Sequence, residues 1–276
     1  MFRLSWVLVM LAIWAGALIA APVVAQEVSF KDPIGDDDGP GKYVYPTDAV
    51  YKSGSFDLTG FRLKAKGKKA DVEVDVNSTL EDPWKMGTGF SVQMVFIFID
   101  TDGKEGSGFT DGLPGLDVKF APSSAWDRCI ILSPQPQGRV KSEVEAKVSA
   151  DMKKSIVIPV KVKGAGRTLS ATIDLADLGT GDPTTWGYQV LMQSNEGFPA
   201  STDLLTRKVN EYEGQHRFGG GNDGDCDPQV MDVLAGDAAG DKAEIDLQHT
   251  MLAYECNEDG TAKKMAVLTM VHPKNK

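Results

Sequence analysis

Apolar and polar residues alternate along much of this chain. In Val72-Glu73-Val74-Asp75-Val76 every second side chain is apolar, the signature of a strand with one face on a core and one in water. The same alternation, or a short apolar run, predicts strands over residues 56–63, 71–76, 91–99, 128–132, 140–148, 155–162, 169–173 and 188–193. Val95-Phe96-Ile97-Phe98-Ile99 is apolar at every position and so belongs at the centre of a sheet covered on both faces. Lys66-Gly67-Lys68, Gly164-Ala165-Gly166 and Gly181-Asp182-Pro183 punctuate the strands as turns. Only residues 174–178 read as a helical turn. Many short strands without a long helical pattern specify an all-β, antiparallel sandwich of immunoglobulin-like type. Residues 244–256 and 264–271 alternate again about Asn257-Glu258-Asp259-Gly260, a good hairpin turn. The expected division is a sandwich over 26–240 and a C-terminal β-hairpin extension over 241–276, the hairpin covering a sheet edge.

The first 25 residues fall outside this pattern. Arg3 is followed by an apolar run from Trp6 to Ala20, then by Val23-Val24-Ala25 with small residues at a cleavage position. This is the build of a removable export signal with a mature start near Gln26, and the run is short for a membrane span of about 20 residues. The net charge of −10 becomes one unit more negative once Arg3 is lost. A balance this acidic argues against nucleic acid or anionic lipid as partners. There are three cysteines and no Cys-x-x-Cys. Cys129 lies in the apolar run Arg128-Cys129-Ile130-Ile131-Leu132 and reads as core. Cys226 and Cys256 are placed to pair in an oxidising compartment, although spacing alone leaves the other pairings open.

Charge then singles out one stretch. Asp32-Pro33-Ile34-Gly35-Asp36-Asp37-Asp38-Gly39-Pro40-Gly41 carries three consecutive like charges in a segment that its prolines and glycines keep from being helical. A hard cation with oxygen ligands relieves that repulsion, and calcium is the usual one outside the cell. In an extended segment Asp36 and Asp38 would grip the ion from one side, with Asp32 and Asp37 next. Two further acidic loops, Asp100-Thr101-Asp102-Gly103 and Asn222-Asp223-Gly224-Asp225, offer Asp100, Asp102, Asp223 and Asp225 as further ligands. The glycine of the first comes too early for an EF-hand. Enzyme chemistry finds no support: the three histidines are scattered, and there is no nucleophile elbow. Among the aromatics, Trp126 and Trp186 adjoin strands and read as core. Trp84 and Tyr212 lie in loop-like sequence and are the better candidates for stacking on a sugar ring.

Four stretches in order resemble one known family. They are the acidic run continued through Tyr43-Val44-Tyr45-Pro46; Trp84 onward to Gly89-Phe90-Ser91-Val92-Gln93; Ile97-Phe98-Ile99-Asp100-Thr101-Asp102-Gly103 with Leu113-Pro114-Gly115; and Phe218-Gly219-Gly220-Gly221-Asn222-Asp223 leading to Asp227-Pro228. Over roughly residues 28 to 235 the chain resembles the glucodextranase C-terminal modules, a branch of the DOMON-like β-sandwiches. The resemblance implies a non-catalytic module that occurs on glucan-degrading enzymes and also as stand-alone exported proteins. Its implied partner is a glucan or another cell-envelope polysaccharide, with any enzyme partner encoded separately, and its place is periplasmic, cell-surface or extracellular. Two alternatives follow from the same likeness or from the hairpin. Some DOMON-like sandwiches hold b-type haem with a methionine ligand, and Met86, Met94 and Met192 supply the ligand type. A structural envelope protein would dock through the C-terminal hairpin.

Overall fold

The computed structural model describes residues 25–222, 226–236 and 240–274. The expected export signal, residues 1–25, lies all but outside them. In chain order the first strands are β1 (Gln26–Lys31), β2 (Leu58–Lys66), β3 (Lys69–Val76), β4 (Gln93–Asp100), β5 (Val118–Phe120) and β6 (Arg128–Leu132). Helix α1 (Gln137–Lys147) precedes β7 (Ile156–Val157), β8 (Val162–Ala165) and β9 (Thr168–Asp174). A single turn, α2 (Leu175–Leu178), leads to β10 (Gly187–Ser194) and β11 (Asp232–Val233). The chain closes with α3 (Asp241–Met251), β12 (Glu255–Cys256), β13 (Ala262–Lys264) and β14 (Ala266–Leu268).

Two five-stranded sheets face one another, in the orders β1-β2-β3-β9-β8 and β11-β10-β4-β6-β7. The fold is an all-β sandwich. Alternation sets the first sheet: Leu63, Val72, Val74 and Leu169 point inward, while Arg62, Glu73, Asp75 and Thr168 meet on the outer face. The second sheet is different. Every residue of β4 and β10 is buried. Val95, Ile97 and Ile99 pack against the first sheet, whereas Met94, Phe96 and Phe98 pack on the other side with Trp126, Val140, Leu191 and Leu268. A third layer made of the 109–126 segment, α1, α3 and β14 covers that side. The uninterrupted apolar run of β4 therefore records burial on both faces.

Two expected strands are helices. Residues 140–148 form most of α1, because Val140, Val144 and Val148 are spaced four apart, which fits one face of a helix as well as one face of a strand. The intervening charges decide between the readings: Arg139–Glu143 and Glu143–Lys147 ion pairs form only at helical spacing. Residues 244–256 were likewise ambiguous. They begin inside α3, where Asp241 and Glu244 occupy the favourable first turn and Gln248, Met251 and Leu252 turn inward. The hairpin survives only as the two-residue β12 against β13, about the expected Asn257–Gly260 turn. β12 and β13 pair only with each other. Beyond them β14 pairs in parallel with β5, and Val271 pairs with Tyr188 on the edge of β10 that β11 leaves open. Of the expected strand over 155–162, only β7 and the first residue of β8 form.

A third, smaller core closes one end of the sandwich. Tyr43, Tyr51, Phe56, Val92, Val209, Phe218 and Met231 gather there, with Tyr45 and Trp84 against them. Cys226 and Cys256 form a disulfide, Cα–Cα 5.8 Å, and Cys129 is buried as a free thiol. No helix among the described residues is long and apolar enough to cross a membrane.

Candidate functional site

The acidic opening loop lies over that closed end, and its three consecutive aspartates go three ways. Asp38 ends the run with a tight turn in which its carbonyl accepts the amides of Gly41, Lys42 and Tyr43. Gly39 makes the turn possible: it sits at φ +62°, and a Cβ there would run into the Tyr43 ring. The turn carries the Asp38 carboxylate away to His249 of α3, 3.1 Å distant. Asp37 accepts the Tyr45 hydroxyl. Only Asp36 turns inward. The segment is not extended, so the expected pairing of Asp36 with Asp38 about one ion does not occur.

Asp36 instead meets carboxylates from distant parts of the chain. Asp32 follows β1, Asp57 precedes β2, and Asp232 opens β11; all four side chains are at most 8 % exposed. Ligand oxygens of Asp32, Asp36 and Asp232 lie within 4.8 Å of one another. Asp57 is close enough to act electrostatically on each of them. One oxygen of Asp32, Asp57 and Asp232 is occupied. Asp32 accepts Ala235 N–H at 3.3 Å, Asp57 accepts Gly35 N–H at 2.9 Å and Asn77 Nδ2 at 3.0 Å, and Asp232 accepts Leu58 N–H at 2.6 Å. The other oxygen of each is buried without a partner, and so are both oxygens of Asp36. No lysine or arginine pairs with any of the four among the described residues. Gln248 of α3 locks the rim, donating to the Asp36 carbonyl and accepting Val233 N–H at 3.0 Å.

Burial and mutual repulsion act together on these groups. Desolvation first, then the Asp57 charge, pushes Asp36 up to about 7. Desolvation and the Asp37 charge push Asp57 to about 6 against the amides that hold it. Burial and then the Asp36 charge raise Asp32 well above the carboxylate range, and burial with the charges of Asp32 and Asp36 does the same to Asp232.

The other acidic loops are built differently. Asp100, Asp102 and Asp127 also approach one another. Most of their oxygens are engaged, however: Asp100 Oδ1 by the amides of Asp102 and Gly103, both oxygens of Asp102 by Lys104 N–H and Ser107, and Asp127 Oδ2 by the amide and hydroxyl of Thr101, and none of the three acids has an oxygen buried without a partner. That loop is a self-satisfied turn. Asp223 and Asp225 lie outside the described residues.

The aromatic candidates separate too. Tyr212 is 73 % exposed. Trp84 is half-buried, and its ring packs edge-on against Tyr51 and His216 at 6.2 and 6.3 Å, while Tyr51 and His216 are 5.9 Å apart. Behind this trio lies a buried ion pair, Arg207–Glu196 at 3.0 Å, with Arg217 4.0 Å from the same carboxylate. Tyr51 Oη, Arg207 Nε, Ser194 Oγ and His216 Nδ1 are buried there without partners. None of Tyr51, Glu196, Arg207 or His216 stood out in the sequence, since each is an ordinary residue in a loop or strand end. Trp126 and Trp186 are core. Met94 and Met192 pack into opposite cores on the two faces of the second sheet, so they do not converge on one cofactor.

The sequence profile of the C-terminal binding module, SLH-like, of glucodextranase matches residues 28–271. The chain belongs to this family. The match takes in α3 and the C-terminal strands as well as the sandwich. Among curated proteins no match is found.

Proposed function

We propose that this member of the glucodextranase C-terminal module family is an exported, non-catalytic carbohydrate-binding module, and that it meets its polysaccharide at the aromatic corner of the closed end. The observation that carries the reading is the Tyr51–Trp84–His216 trio set against Arg207, Glu196 and Arg217. Sugar rings pair an apolar C–H face with a rim of hydroxyls. An indole held by two neighbouring rings offers the first surface with little rotamer freedom left to lose. Arg217, whose side chain is 40 % exposed and lies 4.0 Å from the Glu196 carboxylate, supplies donors for the hydroxyls. Arg207 braces the wall behind the rings, with one terminal nitrogen on Glu196 and the other 3.2 Å from the Asn195 carbonyl. Tyr212, exposed in the segment that also carries His216, is a second candidate ring. A glucan or another cell-envelope polysaccharide is the partner class, and family membership supports both the glycan and a location outside the cytoplasm.

The test is retention on insoluble glucans and cell-envelope polysaccharides, with Trp84→Ala and Tyr212→Ala as variants. Retention that falls at least tenfold in Trp84→Ala, with an unchanged melting transition, supports the site. No retention of the unmodified protein on any polysaccharide removes the carbohydrate reading. Retention that Trp84→Ala leaves untouched moves the site elsewhere.

A further inference from the structure

Buried polar atoms in folded proteins almost always have hydrogen-bond partners, and buried charges are paired or bind metals. Besides the aromatic corner, the closed end breaks this rule with a cluster of like charges. Five carboxylate oxygens are buried and unpartnered there: Asp32 Oδ2, Asp36 Oδ1 and Oδ2, Asp57 Oδ1 and Asp232 Oδ1. Asp227 of the same end of the molecule shows the contrast, because both its oxygens accept Asn222 N–H at 2.9 Å. The four acids also have Glu244 as a further negative neighbour of Asp32. Self-repulsion of this kind, shut away from water, needs a counter-charge inside the cluster.

We propose that Asp32, Asp36 and Asp232, with Asp57 beside them, form a calcium site that ties four separate segments of the chain together. The ligand set differs from the local Asp36–Asp38 pair that the sequence suggests, and the site is independent of the carbohydrate reading. The chemistry selects the ion. All donors are oxygens, with neither imidazole nor thiolate in the cluster, which favours a hard cation over zinc or copper. Asp32, Asp36 and Asp232 offer four unpartnered oxygens in a dry setting, and Asp57 holds a fifth beside them. Calcium accepts six to eight at flexible geometry, while magnesium demands an octahedron and keeps several waters. The four segments are the end of β1, the opening loop, the start of β2 and the start of β11, so one ion clasps both sheets at the same end.

The experiment is calorimetric unfolding of the mature protein in chelator, in calcium and in magnesium, with terbium luminescence as a direct probe of the site. Tyr45, bonded to Asp37, is a tyrosine placed to sensitise terbium. With free calcium about a hundredfold above its dissociation constant, the melting temperature should rise by roughly 5–10 °C over the chelated protein. Magnesium at the same concentration should give less than half that shift. Asp36→Asn and, separately, Asp232→Asn should abolish both the calcium shift and the terbium signal, while Asp38→Asn and Asp102→Asn keep them. Two variants guard against one failing to fold, and the unmodified protein decides the main point alone. Equal melting temperatures in chelator and calcium would overturn the site and leave shared protons as what neutralises the cluster. A calcium shift that survives Asp36→Asn or Asp232→Asn would overturn the ligand set.

Discussion

Asp82 does not face a ligand, yet the loop that carries Trp84 is organised around it. Its Oδ1 accepts Met86 N–H at 2.7 Å and Ser91 Oγ at 2.5 Å, and its Oδ2 accepts Gly87 N–H at 2.8 Å. Ser91 Oγ in turn accepts Trp84 N–H at 3.2 Å. Replacing Asp82 with Ala therefore frees two amides and a hydroxyl and unties the indole at one remove. Hydrogen bonds to a charged acceptor contribute roughly 1.5–3 kcal/mol each when buried. Asp82 is half-exposed, and water takes over part of each lost bond, which brings the total to about 1–2 kcal/mol. In a chain of this length that is a melting shift of roughly 3–6 °C. Asp82→Asn keeps an acceptor without the charge and should fall between the two. The pH dependence separates a carboxylate effect from general damage. Burial pushes Asp82 upward, but the bonds from Ser91, Met86 and Gly87 more than offset it and hold the carboxyl below its ordinary 3.8. Its contribution is therefore complete above that value and drains away as the pH falls through the lowered one. Unmodified protein and Asp82→Ala, compared by calorimetry, should differ at neutral pH and converge in acid. Identical melting temperatures at neutral pH, or a gap that persists in acid, would refute the reasoning.

Two other expectations concern the same end of the molecule. The Cys226–Cys256 disulfide closes a loop with a sequence separation of 30; Cys226→Ala with Cys256→Ala should cost about 3–4 kcal/mol by loop entropy, read as a lower denaturant midpoint with a slightly steeper slope as the unfolded chain expands. Tyr43 Oη donates to the Pro228 carbonyl at 2.8 Å in a buried setting, so Tyr43→Phe should lose about 1–2 kcal/mol in urea unfolding, and a neutral result would mean that the carbonyl finds water instead.

The chain's own pattern reveals most of the sandwich but little of what lies over it. β2, β3, β4, β6, β9 and β10 were legible because alternation or a doubly apolar run has one structural meaning at five to nine residues. α1 and α3 were not, since valines at 140, 144 and 148 satisfy both periods and only the charges between them choose. The acidic loop was visible as a charge problem. Its solution was not, because Asp57 and Asp232 are single aspartates in unremarkable surroundings and reach Asp36 only through the stacking of two sheets. The aromatic corner shows the same limit: Trp84 was noticeable, whereas Tyr51, His216, Arg207 and Glu196 become neighbours only when three loops converge.

The strand directions place Gln26 and Val271, near the two ends of the described fold, on the side opposite the aromatic corner. β1 runs from Gln26, opposite Ala65, to Lys31 and the acidic centre. At the other extremity Val271 bridges to Tyr188, which lies opposite Ile99 near the far end of β4. Gln26 and Val271 thus both stand about 20 Å, the length of a six-residue strand, from the end that holds Trp84. Whatever is joined to this module at either terminus, by a flexible tether or by fusion, would leave the corner pointing outward. The same geometry makes it a plug-in unit for engineering: a partner spliced to both termini would meet them on one face, and its bulk would not shade the opposite one.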